Sequence, residues 1–331
     1  MDKSISHSES IALTYIRVGA MISIILCHIC QTYAKTNRYA YILNIGVQVF
    51  LALSGYLYGR KNIFNWKGFW KGRIIRLYIP MVIFLVIVLP LYLIFHRDIF
   101  SWKAYFLNFL NLQGISFVLG GGMILGIRHL WFLTAIMFAY FMISILQRLS
   151  KFADFLFPIL LVCIGIGYLI LPGNVMFFAS WLYIFAICYL YNHLTRKKVY
   201  EVLLLVMFAA MTVYMCRLGW DVATSYFNRM NRGFHDVGGI FAVIWGVKLL
   251  SRNNTKEVLP VVKIFDEYSF PVYIVHYLFI IGPFSLARIT SNVFLNICLM
   301  LFASIVGTVL LVLINNSMNR ILSSKSQDNK I

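Results

Sequence analysis

Charged residues are scarce in this sequence, and acidic residues are the scarcest. Only 12% of the 331 residues are charged, about half the share found in soluble proteins, and 11 of them are Asp or Glu. The chain also lacks low-complexity tracts, obvious internal repeats and long linkers. Hydrophobic residues make up 61% of it, which is more than a soluble core would bury. The composition therefore predicts an integral membrane protein with a single membrane domain over residues 1–331.

Lysine and arginine outnumber the acidic residues by 29 to 11, which gives a net charge of +18. Such an excess suits proteins that bind nucleic acid, anionic lipid or anionic substrates. In a polytopic membrane protein, however, the positive-inside bias explains most of it. With the N-terminus inside, the cytoplasmic loops carry about twice as many lysines and arginines as the outer loops. Both termini are therefore expected in the cytoplasm, and no nucleic-acid partner is expected.

The six cysteines show no metal-ligand spacing. Cys27 and Cys30 form a C-H-I-C stretch, but it lies inside an apolar run and not beside a soluble redox fold. The sequence therefore predicts no metal site.

Apolar segments long enough to span a bilayer as helices recur along the chain. They predict an all-α, polytopic integral membrane protein with about ten transmembrane helices. A short polar cytoplasmic tail is expected at 316–331. The predicted spans are roughly 11–34, 39–58, 77–95, 129–147, 155–171, 174–193, 199–216, 234–250, 268–288 and 293–315.

The first span carries two ionisable residues, Arg17 and His28, in an otherwise apolar run. Eleven residues of helix make about three whole turns, so both side chains project from one face, roughly 16 Å apart along the axis. Taken singly, Arg17 could snorkel to the inner headgroups and His28 could be a neutral, hydrogen-bonded imidazole. Because ionisable groups that face lipid are costly, the shared face favours a functional role for the pair.

A second group of basic residues precedes the third span, in "WKGRIIRLYIP" (70–80). Arg73 and Arg76 are three residues apart and would share one face of a helix. A basic loop that only sets topology is the simpler interpretation for the neighbouring Lys67 and Lys71. For the two arginines, the paired guanidinium groups favour a phosphate-binding role, as in coenzyme A.

Five motifs in order resemble the acyltransferase 3 family of membrane acyltransferases. They are R-x10-H in the first span, "GVQVFLALSGYL" (46–57), "RIIRLYIP" (73–80), "HLWFLTAIMF" (129–138) and "SFPVYIVHYLF" (269–279). The order and spacing match from about residue 9 to residue 315. One departure is that the second motif usually has two aromatic residues before "LSG", whereas this chain has Phe50-Leu51-Ala52.

The resemblance implies an O-acyltransferase of the bacterial inner membrane. It implies acetyl-CoA as acyl donor and, as acceptor, a hydroxyl of a capsule, exopolysaccharide or O-antigen, or of its lipid-linked precursor. Other polysaccharide-assembly proteins are possible partners. The motifs map catalytic roles onto His28 and Arg17, donor binding onto Arg73 and Arg76, and acceptor binding onto His129 and Trp131. His28 would act as general base or as a transient acyl carrier.

A transporter or flippase of a lipid-linked sugar is the alternative function. Many spans with an intramembrane arginine and histidine would suit that function as well. The missing internal repeat and the lack of paired broken helices count against it.

Overall fold

Helices make up most of the described chain, as the long apolar runs predict. The computed structural model describes residues 5–33, 38–217, 229–252 and 257–328, and no strand forms within them. The helices are α1 (His7–Tyr33), α2 (Arg38–Leu43), α3 (Gly46–Tyr58), α4 (Trp66–Arg73), α5 (Ile79–Phe95), α6 (Trp102–Phe109), α7 (Gln113–Val118), α8 (Trp131–Leu149), α9 (Ala153–Ile170), α10 (Gly173–Tyr191), α11 (Lys197–Arg217), α12 (Arg229–Leu250), α13 (Pro260–Ile280) and α14 (Val293–Asp328).

Within the described residues, seven helical segments are long and apolar enough to cross a membrane, so the protein is a multi-pass membrane protein. They are His7–Tyr33, Tyr39–Tyr58, Trp66–Phe95, Arg128–Tyr168, Lys197–Arg217, Arg232–Leu250 and Val293–Met318. The prediction of about ten differs because α8 and α9 lie together in one segment, the apolar part of α10 is short, and α13 is not among the seven. The number ten and the cytoplasmic location of both termini stay predictions.

The third predicted span begins earlier than expected. Residues 66–95 form one helical run, in which a π-helical turn at Ile74–Tyr78 joins α4 to α5. Pro80 gives this turn a local cause, because proline has no N–H to donate to the carbonyl of Arg76 and its ring clashes with that carbonyl. The N–H of Ile79 accordingly donates to the carbonyl of Ile74, which is the wider π spacing.

Two further boundaries differ from those predicted. The ninth span was placed at 268–288, whereas α13 covers Pro260–Ile280 and the chain beyond it is irregular up to α14. The charged residues Lys263, Asp266 and Glu267 in its first half explain why hydropathy alone misplaced it. At the C-terminus, α14 continues as far as Asp328, so much of the predicted polar tail is helical. Residues 329–331 lie outside the described residues.

The chain falls into two compact units. The first comprises Met1–Phe64, Phe117–Gly120 and Thr134–Glu267. The second comprises Asn65–Ser116, Gly121–Leu133 and Tyr268–Ile331. In the first unit, α3 packs against α1, α10 and α12, and in the second α5 packs against α14.

Close packing of α3 on α10 depends on two glycines one turn apart. A Cβ added to Gly55 would lie 2.2 Å from the carbonyl oxygen of Phe185, and one added to Gly59 would lie 2.3 Å from that of Tyr189. Small residues at this spacing let two helix backbones approach each other, as is common between membrane helices. The glycine of the "LSG" motif is therefore a packing residue between α3 and α10.

Replacing Gly55 with alanine is expected to destabilise the first unit. The added methyl group forces α3 away from α10, and overpacking of this kind typically costs about 1–3 kcal/mol. Thermal unfolding in detergent should show a lower Tm. Gly165→Ala in α9 is the matched control, because its Cβ meets nothing within 4 Å and its Tm should not fall. A wild-type Tm for Gly55→Ala would contradict the close approach of the two helices.

A guanidinium just beyond α3 ties three helices of the first unit together. Arg60 donates from Nη1 and Nη2 to the two oxygens of Glu9 (2.8 and 2.7 Å), from Nη2 also to the Tyr56 hydroxyl (2.6 Å), and from Nε to Asn192 (2.9 Å). Burial by itself lowers the pKa of Arg60, but the bonds to Glu9 and Tyr56 outweigh it and raise the pKa above its usual value. Every nitrogen of this guanidinium is thus used in holding the fold.

Candidate active site

Helix α1 carries both ionisable residues of the first motif. It runs without interruption from His7 to Tyr33, so the one-face geometry predicted for Arg17 and His28 holds. Both side chains are half-buried. Each is also held by a residue to which the sequence analysis assigned no role.

His28 is oriented by a neighbour on its own helix. Its Nδ1 lies 2.9 Å from Oε1 of Gln31, one turn further along α1. Because an amide oxygen only accepts hydrogen bonds, this contact favours the tautomer with the proton on Nδ1 and the lone pair on Nε2. An imidazole in this tautomer presents Nε2 as a base or nucleophile.

Arg17 is paired with a carboxylate far away in the sequence. Its Nη1 donates to both oxygens of Asp266, at 2.7 and 2.8 Å, from the first half of α13. Asp266 is not among the predicted site residues, because it lies before the predicted ninth span (268–288). A usable signal was present: an arginine inside a span calls for a counter-charge, and the whole chain offers only 11 acidic residues.

The fourth and fifth motifs come together in the second unit. The Nε2 of His129 lies 3.0 Å from the carbonyl oxygen of Ile274, which is 145 residues away, and the Tyr273 hydroxyl donates to the His129 carbonyl. The His129 ring stacks on Tyr277 at 4.8 Å and lies 5.5 Å from His276. His129 is 4% exposed and His276 is fully buried. Both histidines are therefore parts of a packed cluster that joins α13 to the start of α8.

Arg128, directly before His129, and Trp131, two residues after it, are more accessible than His129. Trp131 begins α8 and is half-buried, with its ring 6.1 Å from Phe132. Arg128 donates from Nε to the Tyr277 hydroxyl, and its guanidinium also lies over the Tyr277 ring. The acceptor-binding role predicted for His129 and Trp131 stays a prediction, and the burial of His129 limits its own part to shaping the surface around Trp131.

Arg73 and Arg76 lie on either side of the point where the α-helix becomes a π-helix. Arg73 ends α4 and is half-buried, with its guanidinium 5.7 Å from the centre of the Phe69 ring. Arg76 lies within the π turn and is exposed. A π turn holds more residues than an α turn, so the two side chains diverge more than the predicted α-helical spacing implies. Their role in donor binding stays a prediction.

Metal binding has no candidate site in the described ranges: no three His, Cys, Asp or Glu side chains gather there in a way that would hold an ion.

A family model described as an acyltransferase domain matches residues 10–314, nearly the whole chain. The chain belongs to the acyltransferase 3 family. The match includes both units and all five motifs, and it confirms the resemblance seen in the sequence. No curated protein matches this acyltransferase, and no solved structure matches it.

Family membership establishes the general chemistry. A membrane acyltransferase needs an acyl donor and an acceptor, and it moves the acyl group from one to the other. The residues best suited to that chemistry in the first unit are His28, with its tautomer set by Gln31, and Arg17, held by Asp266.

Proposed function

We propose that this acyltransferase transfers an acetyl group from acetyl-CoA to a hydroxyl of a cell-surface polysaccharide, or of its lipid-linked precursor. The acceptor would belong to a capsule, an exopolysaccharide or an O-antigen, and the enzyme would lie in the bacterial inner membrane with both termini in the cytoplasm. The observation that carries the proposal is the oriented His28 imidazole on the same helix face as Arg17. An imidazole can take the proton of a sugar hydroxyl through one ring nitrogen while the other is held by a hydrogen bond.

Two routes use the Nε2 of His28. In direct transfer, Nε2 takes the proton of the sugar hydroxyl while its oxygen attacks the thioester carbonyl, the C–S bond breaks, and the imidazolium returns the proton to the leaving thiolate. In a relay, Nε2 itself attacks the thioester carbonyl, the C–S bond breaks and coenzyme A leaves as the thiolate. The sugar oxygen then attacks the acetyl carbon, the bond from Nε2 to that carbon breaks, and the hydroxyl proton passes to the thiolate or to water. Incubation with radiolabelled acetyl-CoA and no acceptor separates the routes, because only the relay leaves label on the protein.

The remaining predicted residues receive supporting roles. Arg73 and Arg76 would bind the phosphates of coenzyme A, because guanidinium groups match phosphate geometry. Trp131 would supply an apolar ring for a sugar face, with His129 fixing the chain beside it. No resident metal or other cofactor is needed for either route.

Transfer of radiolabelled acetyl groups tests the proposed function. Purified protein in liposomes should move label from acetyl-CoA to the polysaccharide or lipid-linked glycan of the source cell. Liposomes without protein give the background. A purified, folded protein that transfers no acetyl group to any such glycan would refute the proposal.

Gln31→Leu is expected to lower kcat roughly fivefold, with little change in KM for acetyl-CoA. The loss of the Nδ1 hydrogen bond frees the imidazole to rotate and to change tautomer, and such a bond contributes about 1 kcal/mol. Initial rates of acetyl transfer measure the effect. Thr32→Val is the matched control, because the Thr32 hydroxyl donates to the backbone carbonyl of His28 (3.0 Å). Equal rates for Gln31→Leu and Thr32→Val would contradict the orienting role.

A further inference from the structure

The two arginine–carboxylate pairs of the first unit use their guanidinium groups in different ways. Arg60 engages all three of its nitrogens with Glu9, Tyr56 and Asn192. Arg17 reaches both oxygens of Asp266 through Nη1 alone. In the part of the chain that the structure describes, Nη2 and Nε of Arg17 have no acceptor. The Arg60 guanidinium is thus fully hydrogen-bonded within the first unit, whereas the Nη2–Nε edge of Arg17 forms no hydrogen bond with the described residues.

We propose that Asp266 is a positioning residue that holds Arg17 by Nη1 and turns the Nη2–Nε edge toward a phosphate of the acyl donor. This inference rests on the proposed function, in which coenzyme A carries the acyl group. It adds a residue that the first motif does not contain, and it assigns the two edges of one guanidinium to two different partners.

The accessibility of the pair fits this division of roles. The Arg17 side chain is 31% exposed and that of Asp266 is 21% exposed, whereas the Arg60 side chain is only 12% exposed. An anion can therefore approach Arg17 without first displacing the carboxylate. The Nη2–Nε edge presents two parallel N–H groups, which is the geometry that binds a phosphate through two hydrogen bonds.

The charge of the pair also suits a site in a membrane helix. An isolated arginine within a span is costly, and a carboxylate partner offsets that cost. Asp266 does so from a different helix and along one edge only, so the guanidinium is both stabilised and fixed in direction. A lysine at position 17 would supply the charge without the second edge.

Kinetics of acetyl transfer with three variants of the pair test the inference. Asp266→Asn should raise KM for acetyl-CoA on the order of tenfold while kcat changes much less. The reason is that the variant loses the charge-assisted bond that orients Arg17 toward the phosphate of acetyl-CoA. Asp266→Glu keeps a carboxylate and should restore most of the affinity. The charge swap Arg17→Asp/Asp266→Arg rebuilds the ion pair with the guanidinium on α13, so it should restore Tm but not KM.

Glu9→Gln is the matched control, because it breaks an ion pair of similar geometry in the same unit. It should lower Tm and leave KM for acetyl-CoA unchanged. A wild-type KM in Asp266→Asn, or a charge swap that restores KM together with Tm, would show that the pair is structural only. Should Asp266→Asn fail to fold, the KM values of Asp266→Glu and of the swap decide the question.

The variants also separate this inference from the proposed function. If Arg17→Ala loses affinity for acetyl-CoA and Asp266→Asn does not, only the positioning role is wrong. If wild-type protein transfers no acetyl group, the proposed function itself is wrong. The phosphate of a lipid headgroup would fit the same edge of Arg17. If that edge binds lipid instead of the donor, Asp266→Asn will keep the wild-type KM for acetyl-CoA, and the inference is overturned.

Discussion

His28→Ala is expected to reduce acetyl transfer by about 10²- to 10⁴-fold, the usual contribution of a general base. The reason is that either route needs the Nε2 lone pair, and the variant leaves nothing in its place on that face of α1. The fall should appear in kcat and not in KM for acetyl-CoA, because the proposed binding of the donor's phosphates does not involve the imidazole. Initial rates with purified protein, and O-acetyl signals in the NMR spectrum of the polysaccharide from cells carrying the variant, measure the effect.

His7→Ala is the matched control for that experiment. His7 lies in the first turn of the same helix and is exposed, so its loss should leave the rate unchanged. The amount of His28→Ala protein in the membrane fraction must equal that of the wild type. Wild-type O-acetylation in cells with the variant would end the case for His28 as the reacting residue.

Replacing Arg73 and Arg76 together with alanine is expected to weaken binding of acetyl-CoA about 10- to 100-fold. A phosphate site that loses its guanidinium groups loses ground-state affinity, and a net loss equal to one hydrogen bond to a charged group, roughly 1.5–3 kcal/mol, gives a change of about this size. The double lysine variant should recover only part of the affinity, because a point charge lacks the paired N–H groups of arginine. Titration of detergent-solubilised protein with coenzyme A gives the Kd.

The neighbouring lysines provide a control of equal charge. Lys67 and Lys71 are exposed residues of α4, and replacing both with alanine removes two positive charges just as the arginine variant does. Their variant should bind coenzyme A as the wild type does at physiological ionic strength, because exposed charges are screened there. An unchanged Kd in the double arginine variant would place the donor phosphates elsewhere in the protein.

Helix boundaries were the least predictable part of the fold. The π turn before α5 arises from Pro80, whose effect falls on the carbonyl of Arg76 one turn earlier. The start of α13 was missed because Lys263, Asp266 and Glu267 make its first half look like a loop. In both places the helix continues through a segment that looks unfavourable locally: basic residues and a proline near the start of α5, and charged residues in α13. Hydropathy therefore places the start of each helix too late in the sequence.

The sequence by itself determined the class of the protein, the approximate positions of its helices and its family. Long apolar runs leave few structures other than helices in lipid, because every backbone polar group must be satisfied within the segment. The shared face of Arg17 and His28 also followed from the sequence, because it depends only on the pitch of one helix. The contact between Gln31 and His28 is also local, because residues three apart on one helix are neighbours.

Tertiary structure alone decided which distant groups hold Arg17 and His129 in place. Arg17 meets Asp266 across 249 residues, and His129 meets the carbonyl of Ile274 across 145. It also decided that the glycine of the "LSG" motif packs against the backbone of α10. The physical reason is that apolar helices look alike in composition, so their pairing depends on side-chain shape and on buried polar contacts between distant segments, which no local pattern records.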